Sequence, residues 1–196
     1  MEVKVVQYFD KGVDRLQIRS VKKEEHHLTE DFVYEVFKNN KNSDGITQRD
    51  LVKEIREKAY YIPELDLVVE EEGVIVGHFI LSKFPISNKH ENEVLMLTPV
   101  SVDIQKQGQG IGKFMLQEGF KRAAKMGYKG VIVEGDFRYY RLFGFRTSTV
   151  FGIYASKKNL PPAEEYLMAL ELCDQGLAEI SGEVDYSMYK VLTHCD

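Results

Sequence analysis

The stretch Val94-Leu95-Met96-Leu97-Thr98-Pro99-Val100-Ser101-Val102, followed by Gln107-Gly108-Gln109-Gly110-Ile111-Gly112-Lys113, decides how this chain is read. The first half is an apolar strand run broken by Thr98-Pro99. Proline cannot donate a ladder hydrogen bond, so a bulge or local break is expected there. The second half is a glycine-rich turn, and residues 111–126 continue it as a helix. Lys121, Arg122 and Lys125 suit the negative end of that helix, and Gly127 stands where a left-handed cap belongs. Glycines at a helix start let several backbone N–H groups converge on one anion, and the helix dipole adds to the attraction. A phosphate-bearing ligand is one reading of the loop; a turn chosen for backbone geometry alone is the other.

Two common phosphate loops do not fit. The nucleoside-triphosphate loop requires G-x-x-x-x-G-K-[ST], whereas Gly112-Lys113 is followed by Phe114 and position 107 is Gln. The dinucleotide fingerprint requires G-x-G-x-x-G, and Gly108-x-Gly110 is followed by glycine one residue too early.

Outward from the loop, the pattern is strand-rich. Leu16-Gln17-Ile18-Arg19 alternates like a half-buried strand, with a further strand read at residues 1–7. Thr29 is read as the cap of a helix carrying Phe32, Val33, Val36 and Phe37 on one face, and Leu51, Val52 and Ile55 mark a second helix. Leu67-Val68-Val69 and Val74-Ile75-Val76 flank a glycine-bearing connection typical of a hairpin, and the second run continues through Phe79-Ile80-Leu81. Downstream, residues 130–134 form a buried-type strand, residues 138–143 a short helix closed by Gly144, and residues 151–155 and 166–172 strand-like runs. Antiparallel strands, one strand–helix–strand unit, then strands again give an α/β fold with a mixed sheet.

Composition bounds the rest. The chain has 196 residues, 43% of them hydrophobic, which suits a single domain over residues 1–196 with a sizeable core. Twenty-six Lys and Arg against 31 Asp and Glu leave a net charge of −5, unlike a protein built to grip nucleic-acid phosphates. No apolar run approaches the ~20 residues of a membrane-spanning helix, and Met1-Glu2-Val3-Lys4 lacks the regions of a signal peptide. Cys173 and Cys195 are too few for a disulfide scaffold or a zinc site, and Cys173 reads as a small core residue. His26-His27 and His90 lack metal-ligand partners at useful spacing. The expectation is a soluble cytoplasmic domain, monomer or homodimer, with no metal, nucleic-acid or membrane partner.

The same residues resemble a known family. Leu97 to Val102 with Gln107-x-x-Gly110-x-Gly112 looks like motif A of the GNAT N-acetyltransferases, whose signature is [QR]-x-x-G-x-[GA] between the fourth strand and the third helix. Tyr140-Arg141-Leu142-Phe143-Gly144-Phe145 is similar to the Y-x-x-x-G-F segment after that family's fifth strand. Leu65-Asp66-Leu67-Val68-Val69 through Val76-Gly77-His78 is similar to a bacterial subgroup, the YhbS-like acetyltransferases. Together the motifs cover most of residues 16–190.

The resemblance implies an acyl-coenzyme A N-acyltransferase fold, its mostly antiparallel sheet splayed at strands 4 and 5 and flanked by helices. It implies acetyl-coenzyme A as co-substrate and direct transfer to a primary amine of a small-molecule or peptide acceptor. It places the pyrophosphate on the loop from Gln107 through Gly108, Gln109, Gly110, Ile111 and Gly112 to Lys113, and the pantetheine arm along Val100, Ser101 and Val102. It gives Tyr140 the part of proton donor to the leaving thiolate, which a phenol with a pKa of about 10 suits because it stays protonated at neutral pH; Tyr139 is the alternative register. Gly135-Asp136-Phe137 stands where many members carry Asn, and Asp136 reads as a helix cap. The base for the amine is sought among Glu91, Glu93 and His78, or in water alone, and none of them stands out. A non-catalytic acyl-coenzyme A-binding regulatory protein on the same fold is the rival reading.

Overall fold

The computed structural model describes residues 15–40, 43–157 and 166–193; the strand read at residues 1–7 and Cys195 lie outside them. Strands β1 (Leu16–Ser20), β2 (Asp66–Glu71), β3 (Val74–Lys83) and β4 (Val94–Val102) pair in sequence, each antiparallel to the last. β4 then pairs in parallel with β5 (Gly130–Glu134), and that step is bridged by helix α3 (Ile111–Lys125). β6 is the two-residue Arg146–Thr147, β7 is Ile153–Ala155, β8 is Leu167–Glu171 and β9 is Gly182–Val184. The main sheet runs β1-β2-β3-β4-β5-β8-β6. The strand read at residues 151–155 does form as β7, but in a separate parallel pair with β9. Among the described residues no helix is long and apolar enough to cross a membrane.

The β2–β3 hairpin closes through Glu72 and Gly73 at φ 53° and 82°, left-handed conformations whose twist matches that of the flanking strands. Strand alternation then sorts the core into two layers. Leu67, Val69, Phe79, Leu81, Leu95 and Leu97 pack with Met115 and Leu116 of α3 on one face. Ile80, Val94, Met96 and Ile132 pack on the other with Val33 of α1 (His26–Phe37) and with Leu51, Val52 and Ile55 of α2 (Ile46–Glu57).

Two sequence expectations change here. Thr29 does not cap α1, which begins at His26. Its buried hydroxyl donates to the His26 carbonyl at 2.9 Å and accepts from Arg56 Nη2 at 2.7 Å, so a cation from another helix claims it. Cys173 is exposed rather than part of the core, in the turn that follows β8.

That Arg56 belongs to a buried network joining both helices to the sheet. Asp66, fully buried, accepts from Arg56 Nε at 2.9 Å, from the Tyr61 hydroxyl at 2.9 Å and from His78 Nε2 across 2.8 Å. Arg56 also reaches Glu30 at 2.9 Å. Burial alone would raise the Asp66 carboxyl, but His78 and Arg56 outweigh it and hold the pKa at about 2. A folded-state pKa below the unfolded value of about 3.9 contributes stability that is present above roughly pH 4 and lost as pH falls toward about 2. Asp66→Asn is therefore expected to cost roughly 1.5–3 kcal/mol at neutral pH, read as a lower urea midpoint. The variant should also lose the part of the parent's acid destabilisation that falls in that window.

Candidate active site

The proline break is absorbed as a bulge. Leu81 pairs with Leu97 and Phe79 with Val100, so Thr98 and Pro99 together oppose the single residue Ile80. On its other side β4 pairs with β5 only from Val94 and Gly130 to Met96 and Ile132. Beyond that point the strands part, although continued register would set Thr98 opposite Glu134. Two cavities open at this splay.

The first is a cleft of about 600 Å³ running from Val100 and Val102 to the glycine loop, with Phe37 and Asn40 at the end of α1 across from it. Gly110 caps α3 in the left-handed conformation, φ 86°, and offers no capping side chain. The first-turn amides of α3 have no intrahelical acceptor, and they open at the wall made by Gly110, Gly112 and Lys113. Gln107 Nε2 donates to the Val102 carbonyl at 3.1 Å, which pins the loop to the end of β4. Lys106 also lines the cleft but is tied to Glu71 at 2.5 Å.

Of the residues expected to hold a cofactor, Val100, Val102, Gln107, Gly108, Gly110, Gly112 and Lys113 are brought together on this wall. Three stand apart from it. Ser101 is fully buried and pairs with His78 on β3. Gln109 folds back to the Gln105 carbonyl at 3.1 Å, and the Ile111 side chain is buried in the core.

The two tyrosines come from helix α4 (Phe137–Tyr140). Asp136 caps it as expected, Oδ1 accepting the Arg138 N–H at 2.8 Å. Tyr140 is 8% exposed, and its ring rests on Gly135, where a Cβ would lie 2.6 Å from Cε2. Tyr140 meets Phe145 and Tyr139 edge-on, with ring centroids 5.5 and 5.1 Å away. Burial, with a smaller contribution from Tyr139, raises its phenol well above the ordinary range, so it stays protonated. Tyr139 is more open, and its hydroxyl lies over Gly112, where an added Cβ would fall 2.5 Å from it. A side chain at 112 would therefore have to displace the Tyr139 hydroxyl.

None of the three base candidates lines either cavity. Glu93 sits just before β4, at the closed end of the β4–β5 pair, bonded to Lys129 and to His90 Nδ1, and Lys129 chiefly holds its pKa down. Glu91 lies in the same turn, and His78 is buried against Asp66.

The second cavity, of about 410 Å³, holds the residue that sequence reading passed over. Glu134 lines it together with Thr98, Met96 and Leu51. The signal was present: a carboxylate that closes an otherwise apolar strand. Desolvation raises the Glu134 pKa, opposed by the Tyr186 hydroxyl beside it.

A family model described as "Acetyltransferase (GNAT) domain" matches residues 17–148. An uncharacterized N-acetyltransferase of Escherichia coli K12, YhbS, is 26% identical over 136 residues, covering 69% of this chain and 78% of the relative. The crystal structure of an Escherichia coli GNAT family N-acetyltransferase, YhbS, in complex with CoA shares the fold at TM-score 0.79 and 22% identity, over 93% of this chain and 94% of that one. A GNAT family acetyltransferase from Brucella melitensis in complex with acetyl-CoA aligns at TM-score 0.65 and 26% identity, over 80% and 87% of the two chains.

Proposed function

Because the chain belongs to the GNAT acetyltransferase family, we propose that it moves an acetyl group from acetyl-coenzyme A directly to the primary amine of a small-molecule or peptide acceptor. The observation that carries this reading is the cleft in which the uncapped start of α3, the free stretch of β4 and Tyr140 meet. The solved relatives that hold CoA and acetyl-CoA support it.

Each part has a physical task. A diphosphate suits the first-turn amides of α3, with Lys113 adding charge at the same wall. Past Met96, β4 has lost its partner β5, so its backbone edge can take the pantetheine arm as an added strand along Val100 and Val102. Tyr140 faces the thioester end. A phenol whose pKa exceeds that of a thiol, about 8.5, does not surrender its proton to a free thiolate. It hydrogen bonds to the charge as this develops on sulfur, and transfer completes while the phenol recovers a proton from the newly acylated nitrogen.

Coenzyme A is expected to stabilise the folded protein by RT ln(1 + [L]/Kd), about 2.7 kcal/mol at a hundredfold excess over Kd. For a chain of this length that raises Tm by roughly 5–11 °C. An unchanged Tm at millimolar coenzyme A would remove the basis of the assignment. Binding without thiol release across a panel of amines would instead make the cleft that of a regulatory binder.

A further inference from the structure

The Glu134 cavity differs in character from the cleft along β4. Leu51, Met96 and the rings of Tyr186 and Tyr189 give it apolar walls, and Glu134 is the one carboxylate among its lining residues. No Lys, Arg or His among the described residues lines it.

We propose that this cavity is the acceptor site, that it takes a small primary ammonium flanked by apolar surface and bearing no carboxylate or phosphate, and that Glu134 binds this ammonium and removes its proton. The proposal rests on the acetyl-transfer reading above.

Position supports it first. Thr98 lines this cavity and Val100 the cleft, two residues apart on one strand, or roughly 7 Å. An amine held here and a thioester laid along β4 meet at the bulge. Along β5, Ile132 packs on the α2 face and Val133 on the α3 face, so alternation turns Glu134 to the α2 side. Tyr140 packs with Val133 and rests on Gly135, the next residue. The carboxylate and the phenol therefore flank the end of one strand from opposite faces.

Charge supports it second. An acceptor carrying its own carboxylate would set two like charges together with no cation among the wall's described residues to offset them. A lone ammonium finds one counter-charge and aromatic rings. Volume agrees: about 410 Å³ holds a compact molecule rather than a folded partner.

The proton count closes. An ammonium has no lone pair, so its first proton passes to Glu134 and on to solvent. The freed nitrogen attacks the acetyl carbonyl, the C–N bond forms and the C–S bond breaks. The nitrogen's second proton replaces the one Tyr140 gives to sulfur, leaving amide and thiol.

The groups that bear on the titration of Glu134 are few. Tyr186 and Tyr189 face it from the C-terminal segment, both phenols raised chiefly by burial. From α2, Glu54 acts on Tyr189 but is bonded to Lys58 at 2.9 Å and to the amides of Lys190 and Val191. β4 and β8 present Thr98 and Leu167 beside it, neither titratable. Glu134 reaches solvent through the cavity, yet enough protein surrounds it to raise its pKa, toward the value a base working near neutrality needs.

The test compares the parent with Glu134→Gln, using phenethylamine and phenylalanine, which differ only by a carboxylate. The parent should release thiol with phenethylamine at least about tenfold faster than with phenylalanine. Glu134→Gln should keep the coenzyme A melting shift and lose on the order of 10²- to 10⁴-fold in kcat/KM near pH 7. Its activity should climb about tenfold per pH unit as free amine accumulates, while the parent levels off once Glu134 is ionised. A merely structural role would not produce that divergence in pH profile. Equal rates for variant and parent at neutral pH would overturn the role of Glu134. Equal use of both amines, or thiol release with neither by a parent that binds coenzyme A, would overturn the acceptor class. Loss of the coenzyme A shift in the parent itself would instead strike the acetyl-transfer reading beneath it.

Discussion

Tyr140→Phe is expected to lower kcat by on the order of 10²- to 10⁴-fold, the usual range for a positioned acid, while the coenzyme A melting shift stays nearly as in the parent. The substitution removes one oxygen. The ring keeps its seat on Gly135 and its edge contacts with Phe145 and Tyr139, so packing is preserved. The diphosphate wall lies at Gly110, Gly112 and Lys113, on a different element. Tyr139→Phe is the matched control and should be much milder, with its effect on coenzyme A affinity rather than on kcat, because its hydroxyl lies over Gly112. Steady-state kinetics with any amine the parent accepts decide between them. A Tyr140→Phe enzyme as fast as the parent would mean that placement of the two substrates alone drives transfer.

Gly110→Asp is expected to weaken coenzyme A binding by on the order of 10³-fold. A carboxylate about 4 Å from a phosphate charge costs roughly 4 kcal/mol at an effective dielectric of about 20. The backbone adds a separate, smaller effect. Gly110 sits at φ 86°, and a side chain there carries about 1 kcal/mol of left-handed strain, a fall in Tm of roughly 2–4 °C. Gly110→Asn separates the two, because it shares the shape and the strain without the charge. Calorimetric titration should find Asn much closer to the parent than Asp. Equal loss in both variants would show that shape, not anion repulsion, closes the site.

What could be read from sequence follows how far apart the cooperating residues lie. The bulge at Thr98-Pro99, the Glu72-Gly73 turn and the cap at Asp136 are each written in a few adjacent residues, and each formed where it was read. The cleft wall was largely legible for the same reason, since loop and strand are neighbours in the chain. Strand alternation turned Ser101 away from it, Gln109 folded back onto Gln105, and the first turn of α3 faced Ile111 into the core. Thr29 looked like a cap because nothing local reveals that Arg56 reaches it. Glu134 passed as a strand end because its cavity is completed by α2 and by Tyr186 and Tyr189, distant in sequence on both sides. His78 drew interest as a base while its actual partner, Asp66, is set by the pairing of β2 with β3.

The bulge in β4 also sets the phase of everything after it. Leu97 and Val100 are three residues apart yet pack toward the same α3 layer, which an uninterrupted strand would forbid. Flatten the bulge without shortening it, so that Thr98 and Pro99 each take their own partner on β3, and the parity reverses. Val100 and Val102 would turn beneath α1 and α2, and the hydroxyl of Ser101, now enclosed beside His78, would swing out onto the cleft wall. What holds the later residues of β4 in phase is that Thr98 and Pro99 share one partner on β3.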